Sequence, residues 1–595
     1  MKKNLVIKAL SICGVFLLLT SGISVSQDEN KISSQLLRLM VERGEREVYT
    51  AWIFFADKGP QMAAGLAAAK AGLNPRAVLR RLRHHRYDET RIIDHYDIPV
   101  YPYYAREVES QVNRLRIRSR WLNAVSVEAT GRTLRELSGL LYVRKIDTVK
   151  SYVFPEPGDP GSPVKVQSRE IKRSDSEHSL DYGGSFGQVS QINVPALHER
   201  GLDGSGVLIC MLDGGFDNLD HQALDHIDIV DTWDFVNDDP IVWTQDGQMG
   251  AGDHGTNTLG VIAGYYPGKL IGPVYGASFI LGKTENNEWE RHLEEDHWIA
   301  GAEWADEKGA DIISSSLGYR DKFTNEADYT WEELDGQTTI VAKGANVAAG
   351  RGILIVNSAG NEGPAPFPTN TLVSPADCAQ VLAAGAVNYA GDRVNFSSMG
   401  PTADGRIKPD VMAMGLSVVT AHPDDDSRYE LVDGTSFSAP LTAGAAALIL
   451  QANPTWSNLD IMDALKATAS RANNPSNEFG WGIVDAAAAA DFTPKGFYPP
   501  DNFAVKKLVN DYLFFVQYVE KLSWSANPRN SVPIKNYRIY TRHAHVEDQP
   551  FELLVEVSGQ TYSFERRGLL PEEEYLYKIT SVDESGQESE PSYAR

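Results

Sequence analysis

Residues 434–440 read Gly434-Thr435-Ser436-Phe437-Ser438-Ala439-Pro440, and the apolar stretch behind them continues to about Leu450. Glycine and threonine turn the chain, and small apolar residues then run at helical length, so the segment predicts a turn into a buried helix with Ser436 at its N-terminus. Upstream of it, short apolar runs bounded by glycine recur: VLICMLD (207–213), ASFILGKT (277–284), ADIISSSLG (310–318), ILIVNSAG (353–360) and VLAAGAVN (381–388). Near-continuous apolar strands alternating with helical segments are what a parallel sheet covered on both faces requires. Residues 186–492 therefore predict an α/β core.

Three further glycine-rich segments carry polar side chains in that core. Asp213-Gly214-Gly215 closes the strand 207–213, where an acid faces the crevice at the carboxyl end of a sheet. His254 should open a helix in Asp253-His254-Gly255-Thr256-Asn257-Thr258-Leu259-Gly260, and Ser358-Ala359-Gly360-Asn361-Glu362-Gly363 presents an amide after a buried strand. A serine hydroxyl is a weak nucleophile that needs a base, and the imidazole needs a carboxylate to fix its tautomer. Asp213, His254 and Ser436 supply that set, while the Asn361 amide and the Ser436 N–H supply donors for an oxyanion.

These segments resemble the aspartate motif, the HGT-x-x-x-G motif, the AGN-[ED]-G turn and the GTS-x-[SA]-A-P motif of subtilisin-like serine proteases. FSSMGPTADGRIKPDVMAMG (396–415) resembles the stretch that precedes the nucleophile there. The order Asp, His, Ser is also that family's. The resemblance implies a subtilisin-like parallel sheet with helices on both faces. It further implies that Ser316, Leu317 and Gly318 pair with substrate backbone, and that Ala359, Gly360 and Glu362 line the S1 pocket. Glu362 reads equally as a selector of basic P1 residues or as a solvated loop acid. Two departures stand out: Gly214 occupies the place of the family's usual Ser or Thr, and Asn257 replaces a second histidine.

The flanks differ in charge. The whole chain carries a formal net charge of -24, whereas residues 27–150 hold 22 Lys plus Arg against 15 Asp plus Glu, so most of the acid lies beyond residue 150. Strand, helix and strand patterns at 48–57, 62–71, 121–130, 132–140 and 142–154 predict a small α+β domain of the ferredoxin-like type over 27–154. It resembles the inhibitory propeptide of secreted subtilases. PEPGDPGSP (155–163) opens a cleavable linker that runs to about 185. Alternating Tyr, Val and Thr in 497–595 predict a β-sandwich, which resembles a fibronectin type III domain through Trp524, Tyr537, Tyr540, Leu570 and Tyr575.

Lys2, Lys3 and Lys8 lead into the short apolar run Ala9–Leu19, which reads as a signal peptide ending near Ser26 rather than a membrane span. The product is expected to be secreted or periplasmic. An acidic chain argues against binding nucleic acid. The cluster from Arg80 to Arg86 is therefore read as a solvated helix face or a face that pairs with the acidic peptidase domain. The three cysteines do not build a scaffold, and Cys210 and Cys378 are expected to be free. Asp234–Asp239 and Asp424–Asp426 are the candidate structural Ca²⁺ segments, with solvated loops the favoured reading, and no cofactor is expected for catalysis.

The expected protein is a secreted serine endopeptidase made as a zymogen, acting on protein or peptide substrates and inhibited by its own propeptide. Two alternatives remain at this point. One is a catalytically impaired adhesion or scaffold protein, motivated by Gly214; the other is an esterase or transpeptidase on the same triad.

Overall fold

The computed structural model describes residues 31–149 and 178–593, apart from 287–289, 325, 367–368, 495, 513–514, 528–529, 531, 544–549, 571–573 and 590. The signal peptide expected at 1–26 and most of the expected linker lie outside the described residues. The chain forms two compact units.

The first unit comprises the chain up to Asp57 together with Pro102–Arg116 and Val125–Thr148. After the helix Ser34–Arg43 its elements run Val48–Phe55, the helix Pro102–Glu109, Arg114–Ser119, Ala124–Thr130, the helix Gly131–Ser138 and Val143–Thr148. Across the sheet the strands run second, third, first, fourth, so the third and fourth flank the first. That βαββαβ order is ferredoxin-like, as expected, but its first helix is Pro102–Glu109 and its second strand Arg114–Ser119, neither read from the sequence, whereas the helix expected at 62–71 forms as Met62–Gly72 in the second unit. The strand expected from 121 begins only at Ala124, because the turn before it holds Asn123 at φ 50°.

The second unit is built on a seven-stranded sheet. From one edge it runs Val411–Met414, Val381–Val387, Leu354–Ser358, Ile312–Ser315, Leu208–Asp213, Ser278–Lys283 and Asp228–Asp234. All neighbours are parallel. The five strands between the edges match the apolar runs read from the sequence. Alternation along Leu208–Asp213 sends Ile209 and Met211 into one core with the helices Asp253–Ala263 and Thr435–Ala452. Leu208, Cys210 and Leu212 enter a second core with the helices Leu293–Lys308 and Ile340–Gly350. Helices thus cover both faces. The edge strand Asp228–Asp234 escapes sequence reading because it is acid-rich and half-exposed rather than continuously apolar.

In both candidate Ca²⁺ segments at least one acid is engaged within the chain, while Asp424 and Asp426 are exposed. Asp234 pairs with Lys283 Nζ at 3.0 Å and accepts the N–H groups of Val236 and Asn237, while Asp425 accepts from Ser427 and Arg428. Cys210 and Cys378 are buried thiols.

Lys58–Tyr101 and Ile117–Ala124 belong to this same unit. Arg80 and Arg81, on the helix Pro75–His84, are fully buried and both pair with Asp306 near the C-terminus of Leu293–Lys308. Arg120 reaches the same carboxylate at 3.0 Å. An acid at a helix C-terminus opposes the helix dipole, so Asp306 depends on these cations. Burial alone would raise its pKa, but the three guanidiniums hold it down at about 2. The arginine cluster is therefore a pairing face, not a solvated one.

The C-terminal residues form two antiparallel sheets. Asp501–Tyr512, Phe515–Ser525 and Ser563–Leu569 make one; Glu552–Ser558, Ile534–His543, Tyr575–Asp583 and Ser592–Tyr593 make the other. Phe503, Leu522 and Trp524 from the first share a core with Tyr537, Ile539, Tyr577 and Ile579 from the second, as in a β-sandwich. No helix among the described residues is long and apolar enough to cross a membrane.

Candidate active site

A cleft of about 590 Å³ opens at the carboxyl ends of the central strands. Asp213 enters it as the last residue of Leu208–Asp213 and is 1% exposed. His254 is the second residue of the helix Asp253–Ala263. That helix can seat against the strand end only because residue 255 is glycine, since a Cβ there would lie 1.9 Å from the Gly215 carbonyl oxygen. The packing brings His254 Nδ1 to 2.6 Å from Asp213 Oδ1. Gly214 N–H donates to the same oxygen at 2.8 Å, and Thr258 Oγ1 lies 3.0 Å from Asp213 Oδ2. Desolvation in the cleft wall disfavours the imidazolium, but the Asp213 carboxylate outweighs it and leaves the His254 pKa raised.

Ser436 sits in the first turn of Thr435–Ala452, preceded by Gly434 at φ 149°, a conformation that favours glycine. Its Oγ is directed at the Ser316 carbonyl at 3.4 Å, and among the described residues it makes no hydrogen bond to His254. Such bonds are often loose without substrate. Asn361 is oriented by Thr435, whose N–H and Oγ1 both donate to Asn361 Oδ1 at 2.9 Å. With its oxygen engaged, the amide has Nδ2 left to donate beside the helix N-terminus.

Ser316, Leu317, Gly318, Gly360, Asn361 and Glu362 line the same cleft as Asp213, His254 and Ser436. Ala359 does not: it is fully buried, with its N–H bonded to Ala384 O and its carbonyl to Val373 N–H. It supports the pocket from behind because the backbone alternates direction at the strand end. Glu362 is neither free nor merely solvated, since Lys322 Nζ holds both its oxygens at 2.9 and 3.1 Å.

Sequence reading missed Glu285, Glu290 and Glu294, which also line the cleft and bring one carboxylate oxygen each within 4.8 Å of the others. Burial, together with repulsion between neighbouring carboxylates, raises the pKa of Glu285 and Glu294. Glu290 is also raised, chiefly by burial. The only signal was the density of acids over 285–296, which has no motif spacing. It also missed Thr258, whose spacing four residues after His254 puts both on one helix face.

Residues 204–482 match the model described as Subtilase family, and residues 50–160 match the one described as Peptidase S8 propeptide domain, Bacteroidota. Subtilisin NAT of Bacillus subtilis subsp. natto is 34% identical over 318 residues, covering 52% of this chain and 71% of that protein. Subtilisin of Bacillus pumilus is 33% identical over 322 residues, covering 52% of this chain and 99% of that one. A solved structure titled "Crystal structure of MycP1 with the N-terminal propeptide removed" aligns at 23% identity and TM-score 0.42, over 52% of this chain and 98% of that one.

Proposed function

The chain belongs to the subtilase family and is a subtilisin-like serine endopeptidase, and we propose that it is exported as a zymogen and cleaves peptide bonds through Ser436, His254 and Asp213. The boundaries of this reading are a signal at 1–26, a propeptide at 27–154, a linker at 155–185, a peptidase domain at 186–492 and a fibronectin type III-like sandwich at 497–595. The N-terminal apolar run behind three lysines supports export.

The observation that carries the reading is the 2.6 Å bond between His254 and Asp213 in the cleft that Ser436 also lines. In the proposed reaction the Ser436 hydroxyl turns from the Ser316 carbonyl to His254 Nε2, gives up its proton and attacks the substrate carbonyl. Asp213 holds the imidazole in the tautomer with a proton on Nδ1 and stabilises the imidazolium that forms. Asn361 Nδ2 and the Ser436 N–H, at the positive end of Thr435–Ala452, receive the oxyanion. His254 then protonates the leaving amine, and water hydrolyses the acyl-enzyme.

The test is reaction with an active-site-directed fluorophosphonate followed by digestion of a peptide library. Wild type is expected to label and digest, and Ser436→Ala to do neither. Peptide turnover by Ser436→Ala, free of contaminating protease, overturns the assignment. Labelling without peptide digestion would move the protein to esterase chemistry.

A further inference from the structure

The Asp213 carboxylate is buried, and its two oxygens are served by different donors. Oδ1 takes the His254 Nδ1–H and the Gly214 N–H. Oδ2 has the Thr258 hydroxyl at 3.0 Å. Thr258 is fully buried and lies one turn beyond His254 on the helix Asp253–Ala263. Its hydroxyl is also 3.0 Å from the Gly255 carbonyl, but it has one proton to give, and a charged carboxylate is the stronger acceptor. The residue after the aspartate is a glycine, so no side-chain hydroxyl is available from that side.

We propose that Thr258 is a positioning residue for the reaction: its hydroxyl holds Asp213 Oδ2, so that one helix face fixes both oxygens of the carboxylate that orients His254. The proposal rests on the roles given above to Asp213 and His254. Two donors four residues apart on a rigid helix define the plane of the carboxylate, whereas the donors on Oδ1, His254 and the Gly214 N–H, leave Oδ2 unheld and the plane less restrained about Cβ–Cγ. Rotation would swing Oδ1 out of line with Nδ1–H and misdirect Nε2 from Ser436. The arrangement also accounts for Gly214: the hydroxyl comes from the helix of the base rather than from the residue beside the acid.

The test uses the processed full-length enzyme and a short peptide substrate, with Thr258→Val, which keeps the shape, and Thr258→Ser, which keeps the hydroxyl. Loss of a hydrogen bond to a charged group predicts that Thr258→Val lowers kcat roughly tenfold to a hundredfold with KM little changed. Its acidic limb of kcat/KM should move to higher pH, because a carboxylate with one donor fewer attracts the imidazolium more strongly. Thr258→Ser should return kcat to within about threefold of wild type. In Thr258→Val, Gly214→Ser should recover part of the loss by supplying a hydroxyl from the other side. The downfield Nδ1–H proton resonance of His254 should shift in Thr258→Val and return in Thr258→Ser.

Wild-type kcat and an unmoved pH limb in Thr258→Val overturn the proposal, as does equal loss in Thr258→Val and Thr258→Ser. If Thr258→Val does not fold, the resonance and kcat of Thr258→Ser and of Gly214→Ser/Thr258→Val decide, and a Ser variant that resembles inactive enzyme overturns it. Turnover by Ser436→Ala, run in parallel, marks instead a failure of the underlying assignment.

Discussion

Ser316 and Ser436 are joined twice: Ser316 Oγ donates to the Ser436 carbonyl at 2.7 Å, and Ser436 Oγ faces the Ser316 carbonyl at 3.4 Å. The first bond has a cause four residues away. Pro440 lies inside Thr435–Ala452 and has no N–H to give to the carbonyl of residue 436. Ser316, from the loop after the strand Ile312–Ser315, supplies the missing donor and so ties the first turn of the helix to that loop.

Ser316→Ala is therefore expected to leave the Ser436 carbonyl buried without a donor, at a cost of about 1–3 kcal/mol. Pro440→Ala should return an N–H and offset much of that loss. Thermal unfolding and peptide hydrolysis of the two single variants and the double variant check this, and strict additivity would show that the two positions are not coupled.

Glu362 reaches substrate only by releasing Lys322, which is largely exposed. An exposed pair is worth about 0.2–1 kcal/mol, so the expected effects are small. Lys322→Ala should raise cleavage after Lys or Arg relative to Leu by roughly twofold to fivefold, and Glu362→Gln should lower it. Competition between P1 variants of one peptide measures the ratio; no change in either variant would exclude Glu362 from P1 selection.

The raised His254 pKa has a sign that kinetics can read. The imidazole must be neutral to accept the Ser436 proton, so the acidic limb of kcat/KM is expected above the ordinary imidazole value of 6.5. Asp213→Asn removes the attraction that offsets desolvation. It should lower that pKa and reduce kcat by about 10⁴, the size seen when a triad acid becomes an amide. A limb at or below 6.5 in wild type contradicts the geometry.

Asp306 makes the hold on Lys58–Tyr101 resistant to salt and to moderate acid. Its pairs with Arg80 and Arg81 are buried, where screening is weak, so salt should slow long-range association without releasing the processed N-terminal piece. A carboxylate whose folded pKa is depressed contributes stability above its unfolded value of 3.8 and loses it as pH falls toward about 2. Gel filtration after processing should show the piece retained from 0.1 to 1 M salt at neutral pH and at pH 5. Asp306→Ala leaves buried guanidiniums without that carboxylate, costs about 3–5 kcal/mol and should release it. Release of the wild-type piece by 1 M salt would show that the buried pairs do not hold it.

Truncation after Pro500 should spare hydrolysis of short peptides, because no described residue of the sandwich lines the cleft. The cut belongs after Tyr498 because its side chain is buried and its hydroxyl bonds Asp460 at 3.2 Å. A folded truncate without short-peptide activity would make the sandwich part of the catalytic unit.

Periodicity and motif order in the chain alone determined the parallel sheet, the helices that carry His254 and Ser436, and the meeting of Asp213, His254, Asn361 and Ser436 in one cleft, but not the place of Ala359 behind it or of Glu285, Glu290 and Glu294 within it. Those are local properties: an apolar run of strand length, a glycine turn and a run of small apolar residues of helical length declare themselves within a dozen or so residues. Tertiary structure decided how each polar atom is spent. Lys322 and Glu362 are 40 residues apart, Arg80 and Asp306 are 226 apart, and Ser316 and Ser436 are 120 apart, and no spacing rule links them. Thr258 was visible as a residue four beyond His254, but its acceptor comes from another element. A hydrogen bond depends on where two elements cross, and that is set by packing of the whole core rather than by either segment.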